Sequence, residues 1–308
     1  MIRATAISFA PMEGESASSL LLRAASLLSP FPGLIFKNFL GDAEAIASAV
    51  HRHDTVDAIA SSLGVEQTAL GRSMIHRAGH GLRVGPFIVR TQDIDQTHRR
   101  VCPAVLRADH ESGVPPYQRL SWVIRVIRYD PVSSAPIIDR CACGCELLWS
   151  ETVRIDECPS CGSRLWESLL GQSEPQDVEA VHFLGALFAE SKACRDEARA
   201  SLPPLVAHWT EGDLLEFFET LGLFSHPEVL TRLPREDTEV WVRAMGIHAA
   251  LRGMEAIREL IGRAFDDPPP GADRFWSTRR MAFANLAIRQ CRSDPVRMLL
   301  EELLRSFA

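Results

Sequence analysis

The chain has 308 residues, of which 46% are hydrophobic and 24% charged, and its formal net charge is −7 at pH 7. This balance is typical of a globular protein of about two domains, and the negative charge argues against a protein that coats nucleic acid non-specifically. No apolar run approaches the roughly 18 residues of a membrane span and no signal-like segment opens the chain, so we expect a cytoplasmic protein without membrane contact.

The first predicted element is a helix that follows a short polar segment. Ser16 can cap it, because a serine hydroxyl accepts a hydrogen bond from the first turn. Glu13 and Glu15 precede it as capping or solvated residues, and Pro30 and Pro32 end it. Its predicted apolar face consists of Leu20, Leu21, Ala24, Leu27 and Leu28.

Two short helices separated by a glycine are predicted next, over residues 54–63 and from Glu66 to His76. Small residues near Gly64 let the two helices cross closely, as in a helix-turn-helix, although the same composition occurs in proteins that never contact DNA. Between positions 72 and 107 the chain carries seven arginines against two aspartates, a local charge of +5. This strip indicates either a phosphate-binding surface or a solvated basic face.

Five of the eight cysteines fall between positions 141 and 161. A disulfide framework is typical of small secreted chains, whereas two close thiol pairs separated by 14 residues are typical of a zinc ribbon. Cys143-Gly-x-x-Leu repeats as Cys161-Gly-x-x-Leu, with a glycine free to adopt positive φ after the second thiol of each pair. The register sets Cys145 opposite Ser163, which is not a ligand.

We therefore predict one structural Zn²⁺ held by Cys141, Cys143, Cys158 and Cys161. Since the first pair has one intervening residue instead of two, Cys145 remains an alternative to Cys141 or Cys143. Five buried thiols without metal are a second alternative. Four thiolates leave no position for water, which excludes a catalytic metal. For Cys194 and Cys291, burial as apolar side chains is expected.

The fold class that these patterns predict is mainly α: an N-terminal helical and helix-turn-helix region over residues 1–98, a zinc-finger region over 99–171, and a C-terminal α-helical domain over 172–308. A polar, proline-containing linker occupies 172–176. Continuous helical patterns follow over 181–187, 213–221, 238–264 and 279–307. Residues 171–308 hold 16 basic against 22 acidic side chains, a balance suited to protein partners rather than phosphate.

Five segments of the chain match a known family in order and spacing. They are the helix–glycine–helix segment, Pro11-Met-Glu-Gly-Glu-Ser16 with Leu22-Arg23-Ala24, Arg100-Val-Cys102-Pro103 with Arg107-Ala-Asp109, Tyr117-Gln-Arg119-Leu-Ser121-Trp122, and Cys141 to Leu165. Together they resemble the TniQ family of transposition target-selection proteins, and the resemblance covers residues 7–170.

The sequence departs from the family at its first zinc module, which uses a Cys-Pro-x-Cys pair and a Cys-Pro-x-His pair. Here the second thiol position is Val105, and the later pair reads Asp130-Pro131-Val-Ser133, so that only Cys102 remains of the four ligands. Such a site does not hold zinc at useful affinity, and we expect this module to be metal-free and held by packing.

The resemblance implies a non-enzymatic adaptor that selects target DNA, directly or through a guide-RNA effector complex, and recruits an AAA+ ATPase and a transposase. A second copy of the chain is a further candidate partner. The sequence contains no phosphate-binding loop, metalloprotease or nucleophile-elbow motif. The alternatives are a zinc-ribbon helix-turn-helix transcriptional regulator and a protein-interaction scaffold. The predicted DNA-facing residues are Gln67, Thr68, Arg72 and Arg77 on the second helix, with Arg99 and Arg100 reaching phosphates.

Overall fold

The structure, a computed structural model, describes residues 10–28, 60–61, 65–167, 177–225, 236–266 and 276–307. It is mainly helical with one small three-stranded sheet, so the predicted fold class is confirmed at that level. The chain divides into two compact units. One contains the described residues up to 167 with Phe188–Glu190, and the other contains the rest. The boundary predicted at 172 lies near this division, whereas the one predicted between 98 and 99 falls inside the first unit.

Helix α1 (Ala17–Leu28) begins at the predicted cap. The Ser16 hydroxyl accepts a hydrogen bond from the Ser19 N–H at 3.3 Å. Of the predicted apolar face, Leu20, Leu21 and Ala24 are buried. The two prolines expected to end the helix lie outside the described residues.

The glutamate ahead of α1 has a structural role that its position in the sequence does not suggest. Glu15 is only 1% exposed. Its carboxylate accepts hydrogen bonds from the Met12 N–H, the Ser19 hydroxyl and the Arg23 guanidinium, with an ion pair of 2.7 Å to Arg23. This carboxylate therefore anchors the chain at the entry to α1 through side chains of the helix and the N–H of Met12, and a solvated position is excluded.

Helix α2 (Gln67–Ser73) is shorter than predicted, because the chain leaves the helix before His76. Residues Ile75–Ala78 instead form strand β1. The His76 ring bonds the Gly71 carbonyl at 2.8 Å, which satisfies an acceptor freed at the helix end. Of the preceding predicted helix, positions 60 and 61 are helical, and the remainder lies outside the described residues.

Strands β2 (Gly81–Val84) and β3 (Phe87–Val89) complete an antiparallel meander in the order β1-β2-β3. This sheet is not among the predicted elements. Ile75 lies opposite Val84, and Val84 lies opposite Phe87, so these three side chains share one face of the sheet. All three are buried, and this face is therefore mostly buried.

The rest of the first unit combines helix α3 (Pro103–Glu111) with 3-10 turns and isolated bridges. Its core includes the fully buried Trp122, Leu106 and Leu147, together with Leu20 of α1 and Leu70 of α2. A single core therefore connects the two N-terminal helices with the cysteine-rich segment.

The second unit is helical throughout its described residues. Its helices are α4 Val178–Leu187, α5 Lys192–Ala200, α6 Glu211–Phe224, α7 Glu236–Leu251, α8 Met254–Asp266, α9 Trp276–Gln290 and α10 Asp294–Arg305. Helices α7, α8, α9 and α10 all pack against α6. A Cβ on Gly222 of α6 would lie 1.7 Å from the Val242 carbonyl oxygen, so a glycine is needed where α6 and α7 meet.

Two helical runs that the sequence predicts as continuous are each divided in two. The first breaks between α7 and α8 at Gly253, whose φ is 95°. The second breaks between α9 and α10, where Ser293 caps α10 and the Glu216 carboxylate accepts the N–H groups of Arg292 and Ser293 at 3.1 and 2.7 Å. None of the described helices combines the length and apolarity of a bilayer span.

Candidate metal centre

Two turns of similar backbone shape carry the cysteines. Gly144 and Gly162 follow the second thiol of each pair with φ of 87° and 70°, as the half-repeat predicts. Leu147 and Leu165, which close the half-repeat, are both fully buried. The bridged pairs at the base of the turns are Arg140–Glu146 and Glu157–Arg164.

The backbone hydrogen bonds of the two turns are equivalent. The Cys141 N–H donates to the Cys145 carbonyl at 2.8 Å, and the Cys158 N–H donates to the Ser163 carbonyl at 3.0 Å. This equivalence sets Cys145 opposite Ser163, as the sequence register predicts.

The turns bring four thiols together: Cys141, Cys143, Cys158 and Cys161, whose sulfurs lie within 4.8 Å of one another. Each turn faces the other, since Cys141 and Cys161 are 3.8 Å apart and Cys143 and Cys158 are 3.7 Å apart at sulfur. Metal–sulfur bonds of 2.3 Å in a tetrahedron place sulfurs about 3.8 Å apart. The four-thiol cluster can therefore hold one metal ion with little rearrangement.

Hydrogen bonds to two of the four thiols favour the ionised form. Burial opposes ionisation of Cys158, but N–H groups of Cys161 and Ser160 point at its sulfur and lower the pKa of the thiol. The hydroxyl and N–H of Ser163 lower the pKa of Cys161 to about 6. Burial raises the pKa of Cys141 to about 12, so this thiol depends most on a metal cation to lose its proton.

Arg99 lies beside the cluster and is completely buried. Its guanidinium donates to the carbonyls of Arg154 and Glu157, the latter at 2.8 Å. Burial lowers its pKa to about 10, opposed by the charges of Cys158 and Asp156. A divalent ion with four thiolates carries two net negative charges, one of which this buried cation offsets. The predicted phosphate contact by Arg99 is wrong, because the group faces the protein interior.

Arg100 is also interior, at 6% exposure. Its guanidinium donates to the carbonyls of Trp122, Ile124 and Ile127 at 2.6–2.8 Å. Five donors in a fixed fork suit such convergent carbonyls. This arginine organises the turn around Trp122. Its predicted phosphate contact is wrong, because the guanidinium faces the protein interior.

The other cysteines lie outside the four-thiol cluster. Cys145 is partly exposed, and its thiol donates to the Glu146 carbonyl at 3.3 Å. Cys291 is buried as expected. Cys194 is exposed, so its predicted burial is wrong: it lies in the first turn of α5, a helix whose single buried residue is Ala198.

A third turn has the same backbone pattern but no thiols, and we name residues 130–134 the Asp130 turn. The Asp130 N–H donates to the Ala135 carbonyl at 2.8 Å, and the Ser134 N–H donates to the Asp130 carbonyl at 2.9 Å. The corresponding bonds in the second cysteine turn start from Cys158 and Gly162. Ser134 takes the glycine's place with a φ of 55°.

The Asp130 carboxylate takes the acceptor role that a thiolate has in the cysteine turns. One oxygen accepts the N–H groups of Val132 and Ser133 at 3.1 and 2.8 Å and the Ser133 hydroxyl at 3.0 Å. The other accepts the Trp122 indole N–H at 2.8 Å. The carboxylate is thus already engaged by four donors.

Cys102 meets this turn from the start of α3. Its sulfur lies 3.8 Å from the Ser133 hydroxyl oxygen, the same separation as the sulfur pairs of the four-thiol cluster. Burial raises the pKa of this thiol, despite N–H groups of Val105 and Ala104 that favour ionisation. Val105 packs against the hydrophobic core. The four-thiol cluster is the one metal-holding group found among the described residues.

The remaining predicted DNA-facing residues are exposed. Gln67 and Thr68 lie at the start of α2 and Arg72 near its end. Arg77, predicted on the same helix, lies instead on β1, where it is also exposed. Thr68 donates to the Glu66 carboxylate.

The residues of the family motifs that lie between Cys102 and the Asp130 turn form structural contacts. Arg119 forms a two-point ion pair with Asp109 at 2.5 and 2.7 Å and lies over the Tyr117 ring at 3.8 Å. These contacts join the end of α3 to the segment before Trp122.

Arg83 belongs to the basic strip but is not among the predicted DNA-facing residues. It is exposed on β2, opposite His76. The signal that identifies this position is Gly79-His80, a two-residue turn between short alternating runs, which is typical of a hairpin.

Comparison of the chain with protein-family models and with curated proteins gives no match.

Proposed function

We propose that this protein is a non-enzymatic, TniQ-like adaptor for DNA transposition, which contacts target DNA and recruits an AAA+ ATPase and its transposase. The observation that carries the proposal is the exposed group Gln67, Thr68, Arg72 and Arg77 on α2 and β1. Amide and hydroxyl side chains suit base edges, and arginines suit phosphates.

The metal centre supports an architectural role. We infer that the ion is zinc, because four thiolates in a tetrahedral arrangement are the preferred ligands of structural zinc. Four protein ligands leave no place for water or substrate. Zinc supplies folding energy here by joining the two cysteine turns.

The charge distribution along the sequence supports DNA contact by the first unit and ATPase contact by the second. Arg72 and Arg77 are exposed in the first unit, whereas residues 171–308 carry a net charge of −6. Phosphate repels such an acidic surface, so we assign the ATPase contact to the second unit. A guide-RNA effector complex or a second copy of the chain would add contacts to the same adaptor.

DNA binding is tested by fluorescence anisotropy of the zinc-loaded full chain on a mixed-sequence duplex at 50–200 mM salt. Two or three phosphate contacts give a slope of log affinity against log salt of about −2 to −3, with an affinity on the order of micromolar. Substituting Arg72→Ala and Arg77→Ala together should flatten the slope by about two.

The matched control substitutes Arg252→Ala and Arg289→Ala, two exposed arginines of the second unit. It should leave the slope unchanged. A wild-type slope near zero contradicts DNA binding and favours the scaffold. Adding the ATPase encoded with the transposase should raise the affinity for DNA, through added contacts; no change would favour a transcriptional regulator.

A further inference from the structure

The hairpin formed by β1 and β2 has a narrow tip. A two-residue turn, Gly79-His80, connects the strands, and the φ of Gly79 is 58°. At Gly81, a Cβ would lie 2.5 Å from the Val89 carbonyl oxygen, so the third strand is in close contact there. The tip therefore consists of backbone and the exposed His80 side chain.

The hairpin carries an exposed arginine on each of its faces. Arg77 lies opposite Leu82 in the register, and Arg83 lies opposite His76. Since adjacent positions of a strand point to opposite faces, the two guanidinium groups extend from opposite sides of the ribbon. No described residue holds either guanidinium in a hydrogen bond or ion pair.

The two aspartates of the basic strip are engaged with other side chains and do not neutralise these cations. Asp93 forms an ion pair of 2.7 Å with Arg90, and Asp95 accepts the His98 ring at 3.0 Å. The hairpin thus presents two arginines that have not already formed ion pairs with those aspartates.

We propose that the β1–β2 hairpin is a second DNA-binding element, which lies in a groove of the duplex with Arg77 on one phosphate strand and Arg83 on the other. The inference rests on the proposed DNA binding and adds Arg83 of β2 to the exposed group on α2 and β1. Residues 77–83 form the part of the hairpin that can enter a groove, because Ile75 and Val84, which share the face of Arg77, are buried. A groove has phosphates along both walls, which matches a hairpin tip with a cation on each face. These contacts are to phosphates, so they position the protein without reading sequence.

A protein partner fits the hairpin less well. Protein interfaces bury an apolar or aromatic centre within a polar rim. The large hydrophobic side chains that the described residues expose include none from the hairpin. A protein surface would also cover one face of the ribbon and leave the other arginine without a partner. These observations favour duplex DNA.

The test uses the zinc-loaded full chain and two mixed-sequence duplexes of unrelated sequence. Arg83→Ala should flatten the salt slope by about one and weaken binding about fivefold at 0.15 M salt, equally on both duplexes. Arg83→Glu should flatten the slope further, and Arg83→Lys, which keeps the charge, should restore it. Equal zinc content and thermal midpoint verify folding of each variant, and Arg252→Ala is the matched control.

The outcomes separate this inference from the proposed function. If Arg72→Ala flattens the slope and Arg83→Ala does not, DNA binding stands and the hairpin proposal is overturned. If Arg83→Ala spares DNA affinity but weakens ATPase binding, the hairpin is a protein-binding surface and the proposal is again overturned. A wild-type protein without salt-dependent binding overturns both.

Discussion

Neighbouring arginines in this chain differ in role according to where their guanidinium groups lie. Arg99 and Arg100 are buried and bind carbonyl oxygens, whereas Arg72, Arg77 and Arg83 are exposed. All five belong to the same +5 strip of sequence. The strip charge alone therefore overestimates the exposed basic surface by two residues, because a buried cation contributes folding energy instead.

The role of Arg100 predicts a large loss of stability on substitution. Arg100→Met removes the donor from three buried carbonyls, and hydrogen bonds from charged groups contribute roughly 1.5–3 kcal/mol each, without strict additivity. We expect the free energy of unfolding in urea to fall by about 3 kcal/mol or more. Arg128→Met, at an exposed arginine of the same unit, should change it by less than about 0.5 kcal/mol.

The salt slope of DNA binding distinguishes this role from a phosphate contact. For Arg100→Met, measured where the variant remains folded, the slope should equal that of the wild type. Unchanged stability together with a flatter slope would contradict the interior role.

At the scale of elements, one turn shape occurs three times with different chemistry. The two cysteine turns join thiols, and the Asp130 turn replaces them with a carboxylate that accepts three hydrogen bonds from its own turn and one from Trp122. The turn geometry thus persists where ligands are missing. Hydrogen bonding and the packing of Val105 hold this region. That it binds no metal stays a prediction.

Because the geometry persists, restoring the thiols should restore a metal site. Val105→Cys, Asp130→Cys and Ser133→Cys together, with the native Cys102, provide four thiols at positions that already lie close together. Elemental analysis should show an increase from about one zinc per chain to about two. The same triple substitution with Cys102→Ala should bind less of the second equivalent, since one ligand is absent.

A result of one zinc in the four-thiol variant would contradict the equivalence of the turns. Asp130→Cys should also reduce stability, because the Trp122 indole N–H loses its carboxylate acceptor. A buried donor without a partner costs about 1–3 kcal/mol, so the metal-free variant should be less stable than the wild type.

The sequence predicts elements well where local chemistry determines them and poorly where distant pairing does. The cap at Ser16 and the positive φ of Gly144 and Gly162 follow from neighbouring residues alone. The end of α2 depends on the pairing of β1 with β2, and a helical period over Glu66–His76 cannot reveal that pairing. Burial of Arg99 depends on carbonyls more than fifty residues away.

At the scale of the whole molecule, the net charge of the chain bears on the proposed DNA binding, and the metal centre bears on stability. Residues 1–170 hold 17 basic against 18 acidic residues, so the proposed DNA binding would gain little long-range attraction and would rest on the exposed arginines. High affinity would then require a partner that adds contacts. With the proposed zinc in the four-thiol cluster, the stability of the first unit would depend on free zinc and on pH.

Stability with zinc bound should rise with pH. The metal-bound native state carries four thiolates, whereas the unfolded chain keeps its thiols protonated below their pKa of about 8.5. The unfolded state therefore binds more protons, and the free energy of unfolding increases with pH by up to about 5 kcal/mol per unit at fixed free zinc. Urea unfolding from pH 6 to 8 in a zinc buffer measures this slope, and chelated protein should show a shallower one.

Three cysteine variants test which thiols produce this dependence. Cys145→Ser should retain about one zinc and the wild-type slope, because its thiol donates to the Glu146 carbonyl outside the four-thiol cluster. Cys143→Ser should lose both, since a serine hydroxyl is not deprotonated by zinc at neutral pH and three thiolates bind the ion weakly. If Cys145→Ser lost zinc while Cys141→Ser kept it, Cys145 would be the ligand, and the equivalence of Cys145 and Ser163 in the two turns would no longer identify the metal site.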